Sequence, residues 1–198
     1  MRPFEPESTN PSRSIELNSI FAIVTAVGML ALGLLMRSNT LGSSILFRDQ
    51  TNGIRAQIPA QWLLDTNGGT NYIFRAEDPN GQPFKTLIQV SIRTVGPDAN
   101  PQNVVDSLNV IGPSRLSNYG VLSTEPSRLG EDEAIEITYY YVQTEPNPFV
   151  QAVPIVVQGV DLVVTRGNQA IIFTYRDGRD VFEQNRFYFE NFLATVEY

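Results

Sequence analysis

The stretch that most limits what this chain can become is Ser19–Met36, SIFAIVTAVGMLALGLLM. Its eighteen residues carry no charge, and Ser19 and Thr25 are its only polar side chains. As a helix rising 1.5 Å per residue it would cover about 27 Å, close to the roughly 30 Å of a bilayer's hydrocarbon. A helix also satisfies its own backbone hydrogen bonds in lipid. The pattern predicts a single transmembrane helix over residues 18–37, acting as a signal-anchor. Retention is expected because the apolar run exceeds a signal peptide's and Leu34-Leu35-Met36-Arg37 offers no small-x-small exit. Ala22, Ala26, Gly28, Ala31 and Gly33 make one side of that helix small, which suits close approach of a neighbouring helix. Arg2 and Arg13 before the stretch nearly balance Arg37 and Arg48 after it. The adopted topology is a cytoplasmic N-terminus and an extracytoplasmic C-terminal domain in the cell membrane.

Around this stretch the sequence divides into a Pro- and Ser-rich tail (1–17), a Gly/Ser/Asn-containing connector (38–52) and a water-soluble domain (53–198). The domain is long enough for a real core. The formal charge is −7, and Lys85 is the only lysine, so the clustered basic residues of a nucleic-acid surface are missing. The chain has no Cys and no His. Thiol nucleophiles, imidazole bases and the usual Cys/His metal sets are therefore excluded. Carboxylates, hydroxyls and Arg remain for chemistry.

Within the domain, Gly53–Trp62 alternates Ile54, Ala56 and Ile58 before stopping at Pro59, and predicts a strand and turn. Asn71–Ala76 predicts a second strand. Phe84–Val95 sets Leu87, Gln89, Ser91 and Arg93 against Ile88, Val90 and Ile92, which gives a third strand with one wet face. Val104, Val105, Leu108 and Ile111 have helical spacing, and Gly112-Pro113 is expected to interrupt that helix. Tyr119–Ser127, Ala134–Val142, Val160–Thr165 and Ala170–Tyr175 read as strands, the last two as a hairpin across Arg166-Gly167-Asn168. Phe182, Phe189, Phe192 and Leu193 then point to a final helix packed on the sheet. Strands and helices in this order predict an α+β domain, one antiparallel β-sheet covered by helices.

Two segments carry a resemblance to the PsbP/Mog1-like superfamily. GIRAQIPAQW (Gly53–Trp62) is similar to the family's opening strand ending in proline and tryptophan. Gln169–Tyr198 resembles its ending: a strand, Tyr175 at the exit, an acidic turn, and a terminal helix bearing Phe182 and Phe189. The resemblance implies non-catalytic work, as accessory or assembly factors attached to larger complexes, several of them on photosynthetic membranes. The His-containing metal sites of some members have no counterpart here. Lysine-rich electrostatic docking is equally unmatched, with Lys85 standing alone.

The densest acidic group is Glu131, Asp132 and Glu133, whose ordinary role is a charged hairpin turn. A hard oxygen-seeking cation such as Ca2+ is the one metal it suits. No cofactor is expected otherwise. Tyr140 must face away from Tyr139 and Tyr141 on a strand, and Phe149 lies between prolines. These two are the candidate protein-interface residues.

The combined expectation is a non-catalytic, single-pass accessory or assembly subunit of a larger membrane protein complex, in photosynthesis or respiratory electron transport. Its partners would be integral membrane subunits and the lipid bilayer, with no nucleic acid. The alternative is an envelope ligand-binding or chaperone-like module, which requires a pocket, expected to be apolar, between the sheet and the Asn103–Ile111 helix. A third reading is an enzyme using carboxylate and Arg chemistry.

Overall fold

The computed structural model describes residues 23–29, 43–144 and 153–198. The chain divides into two compact units, Met1–Ser43 and Ser44–Tyr198. In the first, residues 23–29 are helical and exposed. Among the described residues no helix is long and apolar enough to cross a membrane.

This corrects the membrane reading. The transmembrane helix over 18–37, the signal-anchor, the single-pass topology with its two sides, and the bilayer and integral-membrane partners have no spanning helix among the described residues to rest on. Ala26 and Gly28 lie on the exposed helical residues. Ala22, Ala31 and Gly33 lie outside the described residues, as do the tail 1–17 and most of the expected span.

The second unit contains nine strands and two helices among its described residues. Strands β1 (Ser44–Asp49) and β2 (Ile54–Pro59) form an antiparallel hairpin of their own. Seven more make one antiparallel sheet: β3 (Leu63–Asp65), β4 (Phe74–Glu77), β5 (Leu87–Thr94), β6 (Gly120–Leu129), β7 (Asp132–Gln143), β8 (Ile155–Arg166) and β9 (Gln169–Gly178). Their order across the sheet is β3-β4-β5-β9-β8-β7-β6. An α+β domain with an antiparallel sheet covered by helices is therefore the observed fold. The β1–β2 hairpin stands outside the single sheet that the sequence predicts.

The first helix, α1 (Pro101–Arg115), starts where Asn100 accepts from the Asn103 amide while the Asn103 side chain accepts from the Asn100 amide. This reciprocal cap satisfies two donors that a helix start otherwise leaves open. The helix continues through Gly112 and Pro113, where the sequence predicts a break. Proline forfeits an interior hydrogen bond. At the third residue from the end that loss is tolerated, and the Leu116 amide still closes the turn onto the Gly112 carbonyl. The second helix, α2 (Phe182–Leu193), carries the Phe182, Phe189, Phe192 and Leu193 that the sequence places on a final helix.

Strand side chains alternate between faces, and the two helices divide the faces between two cores. On one, Phe74, Ile88, Val90, Val160, Leu162, Phe173 and Tyr175 pack with Phe182, Phe189 and Phe192 of α2 and with Ile54 and Ile58 of the hairpin. Burying each such side chain contributes about 1.5–3 kcal/mol. The Tyr175 hydroxyl, enclosed among these rings, donates to the Phe182 carbonyl at 2.8 Å. On the other face Val104 and Val105 of α1 pack on Ile137, Val163 and Ile172. Between that contact and a further apolar cluster of Phe84, Leu87, Tyr139, Tyr141 and Val157, the second face turns polar.

Candidate functional site

Register places the polar side chains of the second face in rows. Arg75 on β4 lies opposite Gln89 on β5, Gln89 opposite Thr174 on β9, and Thr174 opposite Asp161 on β8. The next row runs Leu87, Arg176, Gly159, Tyr139. Helix α1 covers only part of these rows. A cavity of about 420 Å³ remains, walled by Leu108, Ile111, Arg115 and Tyr119 on the helix side and by Gln89, Ser91, Arg93, Tyr139, Asp161, Thr174 and Arg176 on the sheet. It lies where the ligand-binding alternative requires a pocket. Its lining is rich in arginine and tyrosine rather than apolar.

The floor is a closed network. Arg176 Nε donates to the Tyr139 hydroxyl oxygen at 2.8 Å, and that hydroxyl lies 3.4 Å from Asp161 Oδ1. Tyr139 reaches across β8 because Gly159 has no side chain: a Cβ there would lie 2.5 Å from the tyrosine ring. Burial pushes the Tyr139 hydroxyl and the Asp161 carboxyl above their ordinary ranges, with the Arg176 charge opposing both. Burial acts on Arg176 in the opposite sense, but the surrounding Tyr139 and Asp161 carry it above its usual value, so it stays charged. Arg75 is also committed, donating to Gln89 Oε1 at 2.9 and 3.1 Å and lying 4.6 Å from the Tyr72 ring centroid.

Arg93 and Arg115 differ from these two. Arg93 is half-buried on β5, and burial, then repulsion from Arg115, lowers its pKa, with Asp161 only partly offsetting. Arg115 is exposed in the last turn of α1, where the helix dipole favours a cation. Among the described residues neither has a salt-bridge carboxylate. Asp161 is the sole carboxylate on the cavity wall, against four arginines.

The residues singled out from sequence lie elsewhere. Glu131 and Glu133 are exposed at the β6–β7 turn. Asp132 accepts from the Tyr198 hydroxyl at 3.0 Å. Among the described residues no three His, Cys, Asp or Glu side chains group to hold a metal ion. Tyr140 is 38% exposed between Tyr139 and Tyr141, at 2% and 6%. Phe149 lies outside the described residues. The sequence reading noted the wet face of β5 (Gln89, Ser91, Arg93) but not its partners Arg75, Arg115, Tyr139, Asp161 and Arg176. One available signal was the single carboxylate inside the apolar run VDLVVT.

No protein-family model matches this chain, and no curated protein matches it. Solved structures do. A solution structure of cyanobacterial PsbP (CyanoP) from Synechocystis sp. PCC 6803 aligns with TM-score 0.57 at 13% identity, covering 78% of this chain and 92% of the other. LpqN, involved in cell envelope biogenesis of Mycobacterium tuberculosis, aligns with TM-score 0.51 at 12% identity over 78% and 89%. The Saccharomyces cerevisiae Ran-binding protein Mog1p gives 0.51 at 6% over 78% and 95%. The fold is thus PsbP/Mog1-like, and at these identities the likeness extends to the fold alone. The chain offers no thiol or imidazole for catalysis, and the described residues hold no group of three His, Cys, Asp or Glu side chains that could bind a metal ion.

Proposed function

We propose that this chain is a non-catalytic accessory module that binds a small ligand in the cavity between α1 and the seven-stranded sheet. The observation that carries this reading is the cavity itself. It is about 420 Å³, within the size range of small-molecule sites, and has converging polar groups at fixed register. Arg176, Tyr139 and Asp161 hold one another in place, so the floor is already organised before anything binds. Mog1p, which shares the fold, is a Ran-binding protein, in keeping with a binding role for this domain. The membrane-subunit function is not retained.

A thermal-shift screen of small molecules against the full chain tests this. Compounds that raise the melting temperature are expected to lose at least tenfold in affinity in Ile111→Trp, which fills the cavity. Val110→Trp, on the exposed side of the same helix, should bind as wild type. If every stabilising compound binds Ile111→Trp unchanged, the cavity is not the site.

Two smaller assignments accompany this reading. Tyr140 and Phe149 are carried as contact residues for a protein partner. Calcium at Glu131–Glu133 would require Asp132 to exchange the Tyr198 hydroxyl for the ion; a calcium titration that leaves the melting temperature unmoved removes it.

A further inference from the structure

Four of the chain's 14 Lys and Arg residues line one cavity of a protein whose formal charge is −7. The lining carries four guanidinium groups and one carboxylate. Arg176 is tied to Tyr139, and Arg75 to Gln89, Tyr72 and, at 3.8 Å, Glu77. These two have protein partners. Arg93 and Arg115 share the same cavity, repel each other, and among the described residues neither is in a salt bridge. A half-buried cation facing a second cation is an unfavourable arrangement that an anion between them would relieve. Planar guanidinium forks match the oxygens of phosphate and carboxylate groups, and such charge-assisted bonds are the stronger kind.

We propose that the cavity takes a small phosphate-bearing molecule, its phosphate held between Arg93 and Arg115 and its less polar part against Leu108, Ile111 and Tyr119. This rests on the binding-module reading and names the ligand class. The excess of three positive charges on the wall favours a doubly charged oxyanion over a singly charged one. Leu108, Ile111 and Tyr119, all partly buried, supply apolar and aromatic surface beside that charge. The ligand would therefore be a phosphate ester with an apolar or ring-bearing portion rather than the bare ion.

Isothermal titration of the full chain with inorganic phosphate, at ionic strength fixed with sodium chloride, is the direct test. Saturable one-to-one binding is expected, with acetate binding at least tenfold more weakly. Arg93→Gln and Arg115→Gln should each weaken phosphate about tenfold or more, the loss expected for one charge-assisted contact. Arg179→Gln, on an exposed turn away from the cavity, should bind as wild type. Both cavity arginines lack a salt-bridge carboxylate among the described residues, so their replacement should leave the melting temperature near wild type, which a melt confirms before titration.

Phosphate heats equal to dilution overturn the proposal, as does unchanged affinity in both variants, or acetate binding as tightly as phosphate. If phosphate fails while an uncharged compound binds wild type and is lost in Ile111→Trp, the phosphate assignment falls and the binding module stands. If no compound of any charge binds wild type, both fall.

Discussion

Under α2 the sheet presents Val160, Leu162, Phe173 and Tyr175, each at most 1% exposed. Under α1 the same two strands present Gly159, Asp161, Thr174 and Arg176. Both faces are covered by one helix, yet one is a ring-packed core and the other keeps a polar cavity. The helices explain part of this. Helix α2 sends Phe182, Phe189 and Phe192 into the sheet, whereas α1 buries only Val104 and Val105. Close packing leaves no room for a ligand, and a face built for packing alone would have no use for Arg176 and Asp161. With the proposed ligand in the cavity, stability and recognition would be divided between the two faces.

The largest test of that division is Phe189→Ala. Phe189 stacks on Tyr175 at 5.7 Å and Phe192 at 6.2 Å, and its truncation is expected to cost about 3–5 kcal/mol. Urea unfolding should show this without altering binding in the cavity, measured at temperatures where the variant is folded. A cost below 1 kcal/mol would mean that the α2 face is not the stability core.

Tyr139→Phe should have a smaller effect of a different kind. It leaves Arg176 Nε and Asp161 Oδ1 without the hydroxyl between them, at about 1–3 kcal/mol. Ligand affinity should fall as well, since the cavity floor loses its fixed geometry. A variant with lowered stability but unchanged affinity would separate the floor from recognition.

Titration separates the faces by pH. Tyr198 packs at the edge of the α2 core, and burial and then Asp132 push its hydroxyl up to about 12. Its folded-state pKa exceeds the unfolded value near 10, so the fold favours the neutral phenol. Its contribution to stability is complete below pH 10 and is lost as pH rises from 10 to 12. Tyr198→Phe should flatten that part of the unfolding curve. Asp161 is also raised, chiefly by burial, so the fold favours its protonated form and stability falls as pH rises above about 4. Asp161→Asn should remove this slope while leaving unchanged the alkaline difference between wild type and Tyr198→Phe, which Asp161 does not touch. A change in that difference would mean the faces are coupled.

The smallest effect belongs to neither face. Glu197 pairs with Arg55 at 2.9 Å with side chains 67% and 43% exposed. Glu197→Gln should change stability by about 0.5 kcal/mol or less, by thermal melting. A larger change would give the β2 edge a role that the comparison of faces omits.

Much of this arrangement was legible in local patterning. The alternation of Ile88, Val90 and Ile92 with Gln89, Ser91 and Arg93 marked one dry and one wet face on β5. The spacing of Phe182, Phe189 and Phe192 marked a helix face. Residues 18–37 misled because hydropathy alone was taken to mean a membrane span, and no spanning helix is found among the described residues. Asp161 and Arg176 were passed over because each sits among apolar neighbours in sequence, where a single charge looks incidental.

By itself, the sequence determined the longer strands of the sheet, the two helices that cover it and which side of β5 is apolar, because those follow from the strand period of two and the helix period of 3.6. It also determined the chemistry left out, through the absence of Cys and His. Only the tertiary structure decided that β5 pairs with β9, so that Arg93 comes opposite Ala170 and Gln89 opposite Thr174. Local residues specify faces, but the choice of neighbour depends on the closure of a long intervening chain and on how two helices share the sheet. That choice gathered Arg75, Arg93, Arg115 and Arg176 around one cavity.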